Sequence, residues 1–192
     1  MNLTETLKKK KKQILATWIE RTLDTYAAPG FFKKSKDKFA NPVGVNVNEG
    51  LTKVFDLLLA KAGQDEYVEP LDQVIRIRAV QEFTPSQAVT PILELKWIVK
   101  QVLSADKETR GLLTELDTFD CDVDRAALAA FDIYTDCREQ VYAGRIRELK
   151  SGSYVLTDSP CSSTLFLQQK LKDKSSKYPD SKKKKQNSAS GR

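Results

Sequence analysis

The chain has 192 residues, 40% of them hydrophobic, a formal net charge of +6 and no histidine. Without histidine it offers no proximal imidazole for haem, no His-based zinc or iron centre, and no Ser-His-Asp or Cys-His relay. Cys121, Cys137 and Cys161 contain no C-x-x-C pair and read as reduced thiols, no run of eighteen apolar residues suits a membrane span, and Lys8 to Lys12 replace a signal-peptide core, so the expected location is the cytoplasm.

The first predicted helix covers about residues 4–26, with Leu7, Ile14, Leu15, Trp18, Ile19, Thr22, Leu23 and Tyr26 on one stripe. Its start, Lys8 to Lys12, reads as a solvated and frayed helix end, with contact to an acidic partner or a membrane surface as the alternative. Residues 27–46 read as a loop with a short helical turn, held to the core by Phe31, Phe32 and Phe39. Asn41-Pro42 imposes an extended or turn conformation, and Gly44 permits a positive φ. Asn46-x-x-Glu49 predicts the cap of a helix over about 47–61, with Leu51, Val54, Phe55, Leu58 and Leu59 inward.

The next helix opens at Pro70 and stops at a sharply punctuated corner. Thr84, Pro85 and Gln87 form an N-cap, a first-turn proline and a capping box for a successor running to about Leu103, with Val89, Ile92, Leu93, Trp97 and Val102 inward. Pro91 removes one backbone donor from that helix and should bend it. Leu71, Val74, Ile75 and Arg78 follow helical spacing, so a guanidinium leaves an apolar face in the last turn before the corner. It either closes that helix end on carbonyls and a carboxylate, or faces the amides of Ser86 and Gln87 and forms an anion site.

Asp106 predicts the cap of a helix to about Phe119, with Leu112, Leu113, Leu116 and Phe119 inward. Asp117, Asp120, Asp122 and Asp124 lack the spacing, glycine and terminal glutamate of an EF-hand and read as helix caps. The last helix, about 122–150, carries a stripe from Ala127 through Ala130, Phe131, Tyr134, Cys137, Arg138 and Tyr142 to Leu149, and its length makes its far end a candidate dimer surface. Arg138 interrupts that stripe and is expected in an ion pair, with a ligand contact as the alternative. After Ser151 the composition turns to Ser, Lys, Asp and Pro, which predicts a disordered basic tail. That tail holds nine basic and three acidic residues, leaving 23 of each sign before it, so any weak contact with an anionic surface belongs to the tail.

Three separated motifs, Phe39-Ala40-Asn41-Pro42-Val43-Gly44, Ile75 to Val89, and Phe131-Asp132-Ile133-Tyr134 with Cys137-Arg138-Glu139, resemble the N-terminal domain of RsbR and RsbD type co-antagonists of the kinase RsbT. The resemblance runs over about residues 5–150, and Pro91 departs from the family pattern of bulky apolar residues near that position. It implies an all-α, globin-like bundle of about six helices with a long C-terminal helix, serving as a non-haem sensory domain over residues 1–150. The family usually joins this domain to a C-terminal STAS output domain, for which residues 151–192 are too few and too polar.

The expected function is therefore non-enzymatic regulation by binding a ligand or a partner protein of a signalling or redox complex, as a homodimer and without a cofactor. The alternative is a polybasic adaptor on an anionic membrane or nucleic acid; no sequence-specific nucleic-acid motif is present. No catalytic or metal-binding constellation stands out. The polar residues of the three motifs, Asn41, Arg78, Gln81, Gln87, Tyr134 and Arg138, form the candidate ligand or structural site.

Overall fold

In a computed structural model that describes residues 2–34, 39–81 and 83–151, the chain folds into α1 (Leu3–Asp24), α2 (Pro29–Lys34), α3 (Pro42–Ala60), α4 (Val68–Val80), α5 (Pro85–Ser104) and α6 (Asp117–Ser151). Two short 3-10 helices, Gln64–Tyr67 and Arg110–Glu115, fill connections, and no strand occurs among the described residues. The all-α architecture agrees with the helical periodicity of the sequence. Trp18, Phe55, Leu71, Ile75, Ile92, Leu95 and Leu103 are fully buried and join α1, α3, α4 and α5 in one core. Val123, Ala126, Ala130 and Cys137 bring α6 onto it. Among the described residues no helix is long and apolar enough to cross a membrane.

Several boundaries differ from the sequence expectation, each for a physical reason. Helix α3 begins at Pro42, because Asn41 is itself an N-cap whose Oδ1 accepts from the Gly44 amide at 2.9 Å and Pro42 takes the first helical turn. Gly44 is thus needed for space: a Cβ there would collide with the Asn41 amide and the Phe32 carbonyl. Residues 106–119 do not make one helix. Arg110–Glu115 is a 3-10 helix and α6 begins already at Asp117, although Leu112, Leu116 and Phe119 are buried as expected.

Side-chain placement on the exposed faces also departs from expectation. Phe39 is 98% exposed and does not anchor its loop, which leaves Phe32 to do so; Leu93 and Trp97 face outward, and Leu95, Ile98 and Val99 take the inward positions of α5. The start of α1 is anchored rather than frayed, since Thr6 and Leu7 are buried, Lys10 reaches Asp106 at 3.1 Å and Lys11 pairs with Asp56. The acidic residues near Cys121 serve as cross-links more than caps: Asp120 binds Lys100 and Asp124 binds Lys96, each at 2.7 Å, tying α6 to α5. The basic tail and Cys161 lie outside the described residues.

Two glycines give opposite predictions. A Cβ on Gly50 would lie 2.6 Å from Val74 Cγ2 and 2.8 Å from the Pro70 carbonyl oxygen, where α3 and α4 touch, whereas one on Gly144 in α6 meets nothing within 4 Å. Gly50→Ala should lower stability by about 1–3 kcal/mol through overpacking. Gly144→Ala should raise it by about 0.5–1 kcal/mol, because alanine has the better helix propensity. Urea unfolding of the two variants checks both signs.

A candidate functional site at the α4–α5 corner

The corner is built by local chemistry. Thr84 Oγ1 accepts from the Gln87 amide at 3.3 Å, and Gln87 Oε1 accepts from the Thr84 amide at 2.9 Å, which is the reciprocal capping box expected from the sequence. Pro85 occupies the first turn of α5, where no amide is needed. The Gln87 amide is thereby engaged inside the helix cap. That arrangement removes it from an anion site with Arg78, and the guanidinium goes to the carbonyl of the same residue instead.

Arg78 is 1% exposed, and no carboxylate pairs with it among the described residues. Its Nη2 donates to the Gln87 carbonyl at 2.9 Å and its Nη1 to Thr25 Oγ1 at 3.0 Å. Pro91 explains the first bond: four residues along α5 from Gln87, it has no N–H to give to that carbonyl. The guanidinium thus supplies the donor that the proline withholds. Its carbon also lies 4.1 Å from the Phe83 ring centroid and 5.0 Å from that of Tyr26, so two aromatic faces take part of the charge. The Pro91 carbonyl, for its part, accepts from Trp18 Nε1 at 2.7 Å in the core.

Helix α6 grips the same corner from another side. Tyr134 donates its hydroxyl to the Phe83 carbonyl at 2.7 Å, and Arg138 Nη1 donates to the Ala79 carbonyl, in the last turn of α4, at 3.1 Å. Arg138 is half-buried, and the ion pair expected of it does not occur among the described residues. Its other donor goes to the Tyr142 hydroxyl at 2.8 Å, and its guanidinium carbon lies 4.9 Å from the Tyr142 ring centroid. A helix C-terminus needs donors for its last carbonyls, and a guanidinium provides them with the favourable sign of charge. Burial pushes the Tyr134 phenol above its ordinary range, with Arg138 opposing the rise.

Beside the corner lies an open cleft of 470 Å³. The rings of Tyr26, Phe32 and Phe83 and the methyls of Ala27 and Ala28 line it, with Thr25, Gln81 and Gln87 adding polar groups. Every side chain or carbonyl that Arg78 touches belongs to a lining residue. Tyr26 is 5% exposed, its hydroxyl proton has no acceptor, and neither does Arg78 Nε. Burial raises the Tyr26 phenol above its ordinary value, and the Arg78 charge and a hydrogen bond from its guanidinium offset part of that rise.

Of the six polar residues singled out in the sequence, Arg78, Gln81, Gln87, Tyr134 and Arg138 converge on this corner. Asn41 does not; it caps α3, and its Nδ2 donates to the Phe32 carbonyl at 2.7 Å, which steadies one ring of the cleft from behind. Sequence reasoning missed Tyr26 and Thr25 as site residues. Their signal was their place immediately past the end of α1, where the chain leaves the helix beside the core. Among the described residues no group of three or more metal-ligating side chains gathers.

Fold and site together define an all-helical module in which a buried polar corner is fastened to a long terminal helix. Over residues 12–149 the chain matches the family described as RsbT co-antagonist protein rsbRD N-terminal domain, and it belongs to that family, a regulatory one. No curated protein and no solved structure matches it at a significant level.

The corner's bonds have measurable weights. Tyr134→Phe should lower stability by about 1 kcal/mol, the usual net worth of one hydrogen bond. Arg78→Lys should cost about 1–3 kcal/mol, because a single ammonium cannot reproduce the planar fork between Thr25 and Gln87, so one buried acceptor is left unsatisfied. Thermal and chemical unfolding measure both. A larger loss for Tyr134→Phe than for Arg78→Lys would contradict this order.

Proposed function

We propose that the chain is a non-enzymatic regulatory protein that acts by binding, as a homodimer whose seam is the outward stripe of α6, and that a partner protein of a signalling or redox complex responds to the state of that seam. The observation that carries this reading is the spacing of what α6 leaves uncovered. Leu128, Phe131, Tyr142 and Ile146 are 64%, 48%, 50% and 50% exposed, and with Thr135 and Arg138 they recur every three or four residues, as along one face of a helix. An apolar row of this kind on a free surface marks an interaction site. A second copy suits it, because a stripe centred on one helix can pack on its own symmetry mate and the 1–150 segment carries no net charge to oppose association.

The corner gives this seam something to respond to. Arg138 holds the Ala79 carbonyl on one side and the stripe residue Tyr142 on the other, while Tyr134, a turn away, holds Phe83 beside the cleft. A change in the position of Phe83 therefore reaches α6 through Tyr134, and one at the end of α4 through Arg138. Membership of a regulatory family supports the reading without a catalytic step. The polybasic alternative gains nothing from the described residues, where Lys10, Lys11 and Lys33 are already paired with Asp106, Asp56 and the Glu20–Asp24 pair.

Light scattering after size exclusion tests the seam. The native chain should run at twice its chain mass at tens of micromolar, and Leu128→Glu with Phe131→Glu should run as a monomer with unchanged helical circular dichroism. A native monomer, or a dimer indifferent to both substitutions, would contradict the reading.

A further inference from the structure

The geometry points to the cleft beside Tyr26 as a binding site for a small organic carboxylate with an apolar body, held by the Tyr26 hydroxyl in the field of the buried Arg78. The inference deepens the sensory reading above by naming a ligand class, and it rests on groups that the fold leaves unsatisfied.

A fully buried guanidinium is costly unless its charge and its donors are matched. Here the match is incomplete. Two neutral acceptors and two ring faces attend Arg78, but no carboxylate pairs with it among the described residues and its Nε–H has no acceptor. Tyr26 repeats the pattern: a buried hydroxyl whose proton has no acceptor, on a residue that lines the cleft. Two buried donors without acceptors, next to one positive charge without a counter-ion among the described residues, are complementary to an anion that accepts hydrogen bonds. A neutral ligand would satisfy the donors and leave the charge.

The walls determine the rest of the ligand. The Tyr26, Phe32 and Phe83 rings stand in edge-to-face order around Tyr26, with centroids 5.4 Å and 5.2 Å away, and form an apolar, fixed surface. Ala27 and Ala28 leave room that larger side chains would fill, and Gln81 and Gln87 supply amides at the rim. Bare phosphate would reach the charge and use none of these rings. An acid with an aromatic or short aliphatic body uses both. Phe83 is the residue whose carbonyl α6 holds through Tyr134, so a ligand packed on that ring touches the element that leads to α6.

Benzoate is a suitable probe, with benzamide as its uncharged isostere and inorganic phosphate as the anion without a body. Titrated into the 15N-labelled full chain, benzoate should give saturable shifts centred on the amides of Thr25, Tyr26, Ala27, Ala28, Gln81, Phe83 and Gln87. Benzamide and phosphate should bind at least tenfold more weakly. Tyr26→Phe keeps the ring and removes only the hydroxyl, so that variant should keep the native helical circular dichroism and a cooperative melt, yet its affinity for benzoate should fall at least fivefold. Equal binding of benzamide or phosphate, benzoate binding unchanged by Tyr26→Phe, or no saturable shift with benzoate would each overturn the proposal. Light scattering on the same samples keeps its failure separate from that of the dimer, because loss of benzoate binding leaves the oligomeric state as it was.

Discussion

One hydrogen bond organises this domain: the donation from Arg78 to the Gln87 carbonyl. A proline inside a helix leaves the carbonyl four residues earlier without its donor, and a carbonyl left so in a protein interior costs about 1–3 kcal/mol. The chain meets that need with a side chain from the neighbouring helix. The consequence is a bond that joins α4 to α5 across the corner, with Thr25 carrying the same guanidinium to the end of α1. Three helices are thereby fixed at one point, and the charge that does so is enclosed by Tyr26 and Phe83.

The remaining features of the corner follow from that choice. With Arg78 committed to Gln87, the last turn of α4 needs another donor, and Arg138 of α6 provides it at the Ala79 carbonyl. The Phe83 carbonyl, between the helices, is taken by Tyr134. Long side chains from α6 thus replace backbone donors that a continuous helix would have had. This is how α6, the longest of the described helices, comes to be registered against the interior instead of lying on it through apolar contact alone. A binding event near Phe83 and a packing event on the outer face of α6 then act on the same few bonds, which is the physical content of the regulatory reading.

Much of this was legible in the sequence, and the limits are instructive. Helical spacing placed Arg78 on an apolar face, and the Thr84–Gln87 pattern marked the corner, because both depend on residues close together in the chain. The partners of Arg78 were not legible as such. A buried cation usually implies a carboxylate, and although Pro91 visibly removes a donor from α5, no spacing in the sequence ties the carbonyl it orphans to Arg78. The same proline rule that located the start of α5 applied at Asn41-Pro42, where the more polar Asn46-x-x-Glu49 pattern looked like the better cap; the buried Asn41 side chain decided otherwise. Leu93 and Trp97 look like core by hydropathy, yet they face outward because the inward side of α5 is already filled by Leu95, Ile98 and Val99. Tyr26, the residue on which the cleft turns, carried no motif at all.

The central claim is that Arg78 stands in for the amide that Pro91 lacks, and a double-mutant cycle isolates it. Pro91→Ala restores an N–H opposite the Gln87 carbonyl, while its own carbonyl can still accept from Trp18. Arg78→Met removes the guanidinium at similar length. Urea unfolding of the four proteins should show Arg78→Met costing less in the Pro91→Ala background than in the native one, by about 1 kcal/mol, the net worth of the bond that the restored amide replaces. Additive effects, equal within about 0.3–0.5 kcal/mol as expected of independent sites, would contradict the account.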